Sequence, residues 1–92
     1  MISFIGGTGP EGRGLALRFA LSGQEVFLGS RSQERGQEVA SSLKELADIQ
    51  VQGGTNKQAA RSGEIIVVAT PYDGHKETLT SLMDELHGKI II

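Results

Sequence analysis

The sequence predicts an α/β fold in which a doubly wound parallel sheet has the strand order 3-2-1-4-5 and helices on both faces. Three observations support it: short apolar segments alternate with helical periodicity, a glycine-rich turn joins the first strand to the first helix, and the segment 65–69 is apolar throughout. Alternating strands and helices favour parallel pairing with right-handed crossovers. The first and fourth strands are then central neighbours, and ligands bind where the chain changes direction between them.

The first half of the chain is predicted to form two strands and two helices. A strand at residues 1–6 leads to a helix that begins near Pro10, a residue tolerated in a first helical turn, and ends at Ser22 and Gly23. A second strand covers residues 25–29, and a second helix runs from about residue 33 to residue 47. Apolar residues recur in this helix at helical spacing and predict one buried face, formed by Val39, Ala40, Leu43, Leu46 and Ala47.

The second half alternates in the same way. A short third strand is expected at residues 49–51, and Thr55 with Gln58 forms a capping-box pattern that opens a short helix ending at Gly63. The strand at 65–69 is apolar on both faces, as expected of a central strand between two helical layers, and Pro71 ends it. A fourth helix is closed by Gly88, before a fifth strand at 89–92. Its buried stripe is expected to consist of Leu79, Leu82, Met83 and Leu86.

The turn between the first strand and the first helix carries a G-x-G-x-x-G pattern. A strand that turns tightly into a helix points free backbone N–H groups at whatever lies over the turn, and the helix dipole adds partial positive charge there. Glycine lets the chain bend sharply, admits a ligand to the backbone and allows the helix to pack on the strand. The turn therefore predicts a dinucleotide site, the alternative being a purely structural glycine-rich turn. The candidate residues are Gly7, Thr8, Gly9, Pro10, Glu11 and Gly12.

The end of the second strand indicates which dinucleotide fits. An NAD-binding fold places a carboxylate here for the ribose hydroxyls, whereas this chain has Ser30 and Arg31, with Arg35 four residues farther on. A guanidinium offers a planar fork of donors that matches a phosphate, so we expect a pocket for the 2′-phosphate of NADP. Each residue also has a structural alternative: Ser30 caps the second helix, and Arg31 is a solvated surface charge. For Arg35 the alternative is an ion pair with Glu34 or Glu38.

Composition argues against several classes of function. A net charge of −2 provides no basic field for nucleic acid, and 1 Tyr, 3 Phe and no Trp leave little for base stacking. The absence of cysteine leaves no disulfide frame and no thiolate metal site. No apolar run approaches the roughly 20 residues that span a bilayer, and the N-terminus lacks the pattern of a signal peptide. We therefore expect a single small cytoplasmic domain that binds neither nucleic acid nor membrane.

The chain resembles the N-terminal, Rossmann-type domain of the coenzyme F420-dependent NADP oxidoreductases. The likeness is carried by residues 5–9, 12–18 and 29–31, and more loosely by 66–71 and the strand after Gly88. It implies hydride transfer between NADPH and the deazaflavin coenzyme F420. It also implies that phosphates are held by Thr8, Gly9, Ser30 and Arg31 with help from Arg35, and that the nicotinamide is bordered by Ala69, Thr70 and Pro71.

Hydride transfer between two cofactors needs little acid–base help, and the sequence offers no catalytic constellation. His75 and His87 are the 2 histidines, and without clustered acids or thiols they predict no metal site. His75 is expected at the surface near a helix N-terminus, the alternative being that it faces the cofactor, and His87 at a helix end. Asp73 is expected to cap the fourth helix, and Tyr72 is a candidate for lining the nicotinamide pocket.

The chain lacks the C-terminal part that closes the deazaflavin pocket in the resembled family and helps to form its dimer. We expect residues 1–92 to be the NADP-binding front part of a longer, homodimeric enzyme and to be inactive alone. The alternative is a small protein whose apolar last strand is covered by a dimer partner. Three other functions stay open: a non-catalytic NADP(H)-binding module that senses redox state, an NADPH enzyme like the pyrroline-5-carboxylate reductases, and one like the membrane ferric reductases.

Overall fold

A single parallel sheet organises the chain. In the computed structural model, residues 1–69 and 79–92 are described, and they contain five strands. The strands are β1 (Ile2–Ile5), β2 (Val26–Ser30), β3 (Val51–Thr55), β4 (Ile65–Val68) and β5 (Ile90–Ile91). Every pairing is parallel, and the order β3-β2-β1-β4-β5 confirms the predicted arrangement with β1 and β4 as central neighbours.

Helices cover both faces of this sheet, as predicted. They are α1 (Pro10–Leu21), α2 (Gln33–Leu46), α3 (Asn56–Ser62) and α4 (Met83–Leu86), and residues 79–81 are helical as well. One face holds the α1–α2 core, formed by Ile2, Phe4, Ala16, Ala20, Val26, Leu28, Val39, Ala40, Leu43 and Val51. The other holds the α3–α4 core, formed by Ile5, Phe27, Ala59, Ala60, Ile66, Leu82 and Leu86.

β1 lies at the centre of both cores. Phe4 belongs to the α1–α2 core and Ile5 to the α3–α4 core, and both are 0% exposed. Successive strand residues point to opposite faces, so each helical layer anchors alternate side chains of the same strand. The packing of β1 on both faces therefore fixes the position at which the following glycine turn begins.

The third strand was predicted two residues too early, at 49–51, whereas β3 begins at Val51 and continues through two glycines. These glycines are where α2 meets the sheet: a Cβ on Gly36 of α2 would lie 2.6 Å from the Gly54 nitrogen, and one on Gly53 would overlap the Gly36 carbonyl. Glycine is poor in strands by local propensity. Here the close approach of helix and strand backbones overrides that propensity.

The capping box at the start of α3 is confirmed. Thr55 Oγ1 accepts from the Gln58 backbone N–H at 3.1 Å, and the Thr55 N–H donates to Gln58 Oε1 at 2.9 Å. Lys89 closes the other end of α3, where its Nζ donates to the carbonyls of Ala60 at 2.5 Å, Arg61 at 2.8 Å and Gly63 at 2.7 Å. These bonds satisfy carbonyls that a helix end leaves unpaired.

Two predicted core residues are exposed. Leu46 is 74% exposed because it is the last residue of α2, after which Ala47 adopts an extended backbone and the chain leaves the helix. Met83 is 68% exposed because Leu82 and Leu86, four residues apart, take the buried face, and Met83 is rotated away from them. The prediction was wrong at both positions.

The ends of the elements otherwise agree with the predicted glycine positions. Gly23 and Gly88 take positive φ values of 95° and 77°, as left-handed helix caps do, whereas Gly63 ends α3 with φ −90°. The predicted roles of Pro71 and Asp73 concern residues outside the described ranges. Within those ranges, no helix has the length and apolar character needed to cross a bilayer.

We predict that Gly36→Ala lowers the free energy of unfolding by about 2–3 kcal/mol, because the new methyl group meets the backbone of β3 and neither side can move without breaking the sheet. Urea unfolding measures the change. Gly14→Ala is the matched control: its Cβ would meet no atom within 4 Å, and an alanine in this helix interior is expected to add up to about 1 kcal/mol. Equal stability of the two variants would contradict the proposed backbone contact.

Candidate dinucleotide-binding site

The β1–α1 turn brings a helix N-terminus to the carboxyl edge of the sheet. Gly6 turns the chain with φ 69°, and Gly9 is the N-cap of α1 with an extended backbone. Pro10 occupies the first helical turn, as predicted, where its missing N–H costs nothing. The 12 residues of α1 direct the positive end of their dipole at this edge, which suits a bound anion.

The three glycines of the pattern have different surroundings. A Cβ on Gly7 would lie 2.8 Å from Phe4 Cβ and 2.9 Å from Leu28 Cδ2, and one on Gly12 would lie 2.7 Å from Gly7 Cα. Protein packing alone therefore requires glycine at Gly7 and Gly12. A Cβ on Gly9 would meet no atom within 4 Å. Gly9 thus borders open space, as expected where a pyrophosphate approaches the backbone.

The remaining residues of the turn contribute unequally. The Thr8 carbonyl accepts a bond from Arg13 Nε at 2.8 Å, so this peptide is held by the helix that follows it. Glu11 is exposed in the first turn of α1. The positive end of the helix dipole stabilises its carboxylate, but that carboxylate repels a phosphate. Only the backbone N–H of Glu11 is therefore suited to the predicted site.

The glycine turn is tied to β2 and to α3. The Gly7 N–H donates to the Gly29 carbonyl at 2.8 Å, and the Gly6 N–H donates to Asn56 Oδ1 at 2.9 Å. Asn56 was not among the residues predicted from the sequence. The available signal was its position directly after the capping residue Thr55, at the carboxyl edge of the sheet where the glycine turn also lies.

The Ser30–Arg31 corner lies one residue beyond the Gly7–Gly29 bond. Ser30 ends β2 and is 7% exposed, and its Oγ accepts from the Ser32 N–H at 3.4 Å. Ser32 is the N-cap of α2, with its Oγ accepting from the Arg35 N–H at 3.2 Å. The alternative that Ser30 caps this helix is therefore wrong.

The two arginines of this corner are exposed. In the part of the chain that the structure describes, no carboxylate oxygen lies within 4.0 Å of the guanidinium of Arg31 or Arg35. The described ion pairs are those of Lys57 and Arg61 with Glu85, on the other face of the sheet. The geometry thus gives no support to the alternative in which Arg35 pairs with Glu34 or Glu38.

The third segment at this edge follows β4. The Ala69 N–H donates to the Ile5 carbonyl at 2.8 Å, which holds Ala69 beside the end of β1. Thr70, Pro71, Tyr72 and His75 lie outside the described residues. His87 is the exposed C-cap of α4. Among residues 1–69 and 79–92, no group of three or more His, Cys, Asp or Glu side chains is placed to hold a metal ion.

The chain is similar to a known protein family and to several curated relatives. A family described as "NADP oxidoreductase coenzyme F420-dependent" matches residues 1–92. The F420-dependent NADP reductase of Methanothermobacter thermautotrophicus is 45% identical over 99% of this chain and 40% of its own length. The enzyme of the same description from Methanocaldococcus jannaschii is 36% identical over 99% of this chain and 43% of its own length.

A relative with a different description matches the same region. Metalloreductase STEAP3 of Rattus norvegicus is 37% identical over 94% of this chain, which covers 16% of that protein. The chain spans less than half the length of each of these curated relatives.

We predict that the variants Gly9→Ala and Gly12→Ala affect different properties: the first mainly weakens cofactor binding, and the second mainly lowers stability. Gly12→Ala is expected to lower the free energy of unfolding by about 2 kcal/mol, because its methyl group meets the Gly7 backbone. Gly9→Ala is expected to lower the free energy of unfolding by only about 0.5–1 kcal/mol, the cost of an alanine N-cap. It is expected to weaken NADPH binding at least about tenfold, because its methyl group enters the ligand space.

Urea unfolding and titration of NADPH fluorescence measure the two effects. Gly14→Ala, on the solvent side of α1, serves as the control for both. A Gly9→Ala variant that binds NADPH as tightly as the unchanged chain would show that the open space at Gly9 is not the pyrophosphate site.

Proposed function

We propose that this chain, which belongs to the family of coenzyme F420-dependent NADP oxidoreductases, is the NADP-binding domain of an enzyme that transfers a hydride between NADPH and coenzyme F420. The observation that carries the proposal is the junction of two phosphate-binding elements. The glycine turn and the Ser30–Arg31 corner are joined at one sheet edge by the bond between the Gly7 N–H and the Gly29 carbonyl.

The residues of the site fit the proposed cofactor. The pyrophosphate is assigned to the N-terminal turn of α1, where Gly9 leaves room for it and the helix dipole favours its charge. The 2′-phosphate is assigned to Ser30 and Arg31, with Arg35 on the first turn of α2. Ser30 is buried, so its hydroxyl is a fixed partner, and Arg31 supplies an exposed planar donor fork.

The nicotinamide end is assigned to the segment that begins at Ala69. The bond from the Ala69 N–H to the Ile5 carbonyl holds this backbone at the topological switch point, and a methyl side chain leaves space for a flat ring. Thr70 and Pro71, which follow Ala69 in the sequence, are proposed to border the same ring. NADPH, when bound, supplies the hydride chemistry, and the chain's own residues bind and orient the cofactor.

Location and assembly are further proposals. We propose that the enzyme works in the cytoplasm and is a homodimer. The support for an assembly is membership of this family, because the C-terminal part of the resembled enzymes helps to form their dimer. Sedimentation of the full-length product of the reading frame tests the proposed dimer. A monomer at micromolar concentration would refute it.

We predict that Arg31→Ala weakens NADPH binding about 10- to 100-fold and changes NADH binding less than about twofold, because the lost charge-assisted hydrogen bonds involve only the 2′-phosphate. Titration of both nucleotides measures the ratio. Arg18→Ala is the control, since Arg18 is also exposed but lies in the last turn of α1, away from the site. If Arg31→Ala leaves the NADPH to NADH ratio unchanged, the corner does not select the cofactor.

We predict that the full-length product of the reading frame containing these 92 residues oxidises NADPH when F420 is the acceptor. Parallel assays with a flavin, a ferric chelate and a cyclic imine separate the alternatives. Faster turnover with the ferric chelate would favour the chemistry suggested by the metalloreductase match, and faster turnover with the imine would favour a pyrroline-type enzyme. NADPH binding without turnover in any assay would favour a non-catalytic module.

A further inference from the structure

Arg13 reaches back from the first turn of α1 to the glycine turn. Its Nε–H donates to the Thr8 carbonyl at 2.8 Å, while its backbone N–H donates to the Gly9 carbonyl at 2.9 Å. The side chain is half-buried, so it packs along the turn rather than extending into solvent. The same residue therefore bonds to two consecutive carbonyls of the segment that the proposed function assigns to the pyrophosphate.

The bond to Thr8 fixes one peptide plane. The Thr8–Gly9 peptide is trans, so its carbonyl and its N–H point in opposite directions. When Arg13 holds the Thr8 carbonyl, the Gly9 N–H is directed away from Arg13. If this peptide flipped, the turn would present a carbonyl oxygen where it now presents an N–H, and a carbonyl oxygen repels an anion.

Arg13 also changes the local charge. A guanidinium is always protonated and has five N–H donors, of which the bond to Thr8 uses one. No described carboxylate lies within 4.0 Å of it in residues 1–69 and 79–92. Glu11, two residues earlier, places a negative charge at the same helix end. Arg13 offsets that charge close to the open space at Gly9.

We propose that Arg13 is a positioning residue for the cofactor: it holds the Thr8–Gly9 peptide so that its N–H serves the pyrophosphate, and it supplies positive charge beside that group. This inference rests on the proposed function and deepens it. It assigns Arg13 to the pyrophosphate, which NADPH and NADH share, whereas Arg31 is assigned to the 2′-phosphate, which only NADPH carries.

The test compares three variants of the full-length product of the reading frame: Arg13→Met, Arg13→Lys and the control Arg18→Met. Arg18 is exposed and lies in the last turn of the same helix. Arg13→Met is expected to weaken NADPH and NADH binding alike, by about tenfold, and to leave their ratio within about twofold of the unchanged chain. Arg13→Lys keeps the charge without the planar donor and is expected to give a smaller loss for both. Arg18→Met is expected to change neither.

Two further measurements separate positioning from a general loss of folding. Thermal unfolding establishes that each variant is folded at the temperature of titration. In nucleotide-free protein, the backbone amide resonance of Gly9 is expected to shift in Arg13→Met and to stay in place in Arg18→Met. If Arg13→Met is unfolded, nucleotide binding by Arg13→Lys is compared with that of Arg18→Met instead.

The outcomes distinguish this inference from the proposed function. If the unchanged chain binds NADPH and Arg13→Met binds both nucleotides as tightly, the role of Arg13 is refuted while the proposed function stands. A loss confined to NADPH would also refute it, because Arg13 would then act on the 2′-phosphate. If the unchanged chain binds neither nucleotide, the proposed function fails, and the inference fails with it.

Discussion

The contact between the backbones of Gly7 and Gly12 is the constraint on which the site depends. A Cβ at Gly12 would lie 2.7 Å from the Gly7 Cα, so α1 approaches the end of β1 more closely than any side chain permits. This approach places the first turn of α1 over the edge of the sheet, where its N–H groups and dipole are available to an anion. The bond from the Gly7 N–H to the Gly29 carbonyl then ties the same turn to β2, so the two elements to which the phosphates are assigned keep a fixed separation.

Electrostatics at this edge differ from those of the whole chain. The net charge is −2, which by itself opposes an anionic cofactor. Exposed charges beyond roughly 8 Å are largely screened at physiological ionic strength. The charged groups next to the assigned phosphate positions therefore determine whether this edge attracts an anionic cofactor. Arg13 lies near the start of α1, Arg31 lies directly after β2, and Arg35 lies in the first turn of α2. The opposing charges in the first turns of the two helices are Glu11 and Glu34.

The strand order and the glycine turn could be predicted because they follow from local sequence patterns. These patterns are the alternation of strands and helices, the spacing of glycines and the capping residues. The start of β3 could not be predicted, because it depends on contact between Gly36 and the backbone of Gly53 and Gly54, which no local propensity encodes. Asn56 was missed for a similar reason: its bond to the Gly6 N–H joins residues 50 apart in sequence. Ser30 was the predicted alternative cap of α2, whereas the structure has Ser32 as the N-cap, with its Oγ accepting from the Arg35 N–H.

The contacts that hold the glycine turn are separate from the segment to which the nicotinamide end is assigned. Relatives described by two different acceptors, F420 and a metal, each match nearly the whole chain, so the matched residues do not by themselves determine the acceptor. The described contacts that hold the glycine turn come from β2, α3 and α1, through Gly29, Asn56 and Arg13. None of these groups lies on the segment after Ala69, where the nicotinamide end is assigned. If the proposed donor site is correct, a change of acceptor would leave these contacts in place, which is consistent with relatives of different described chemistry matching the same region.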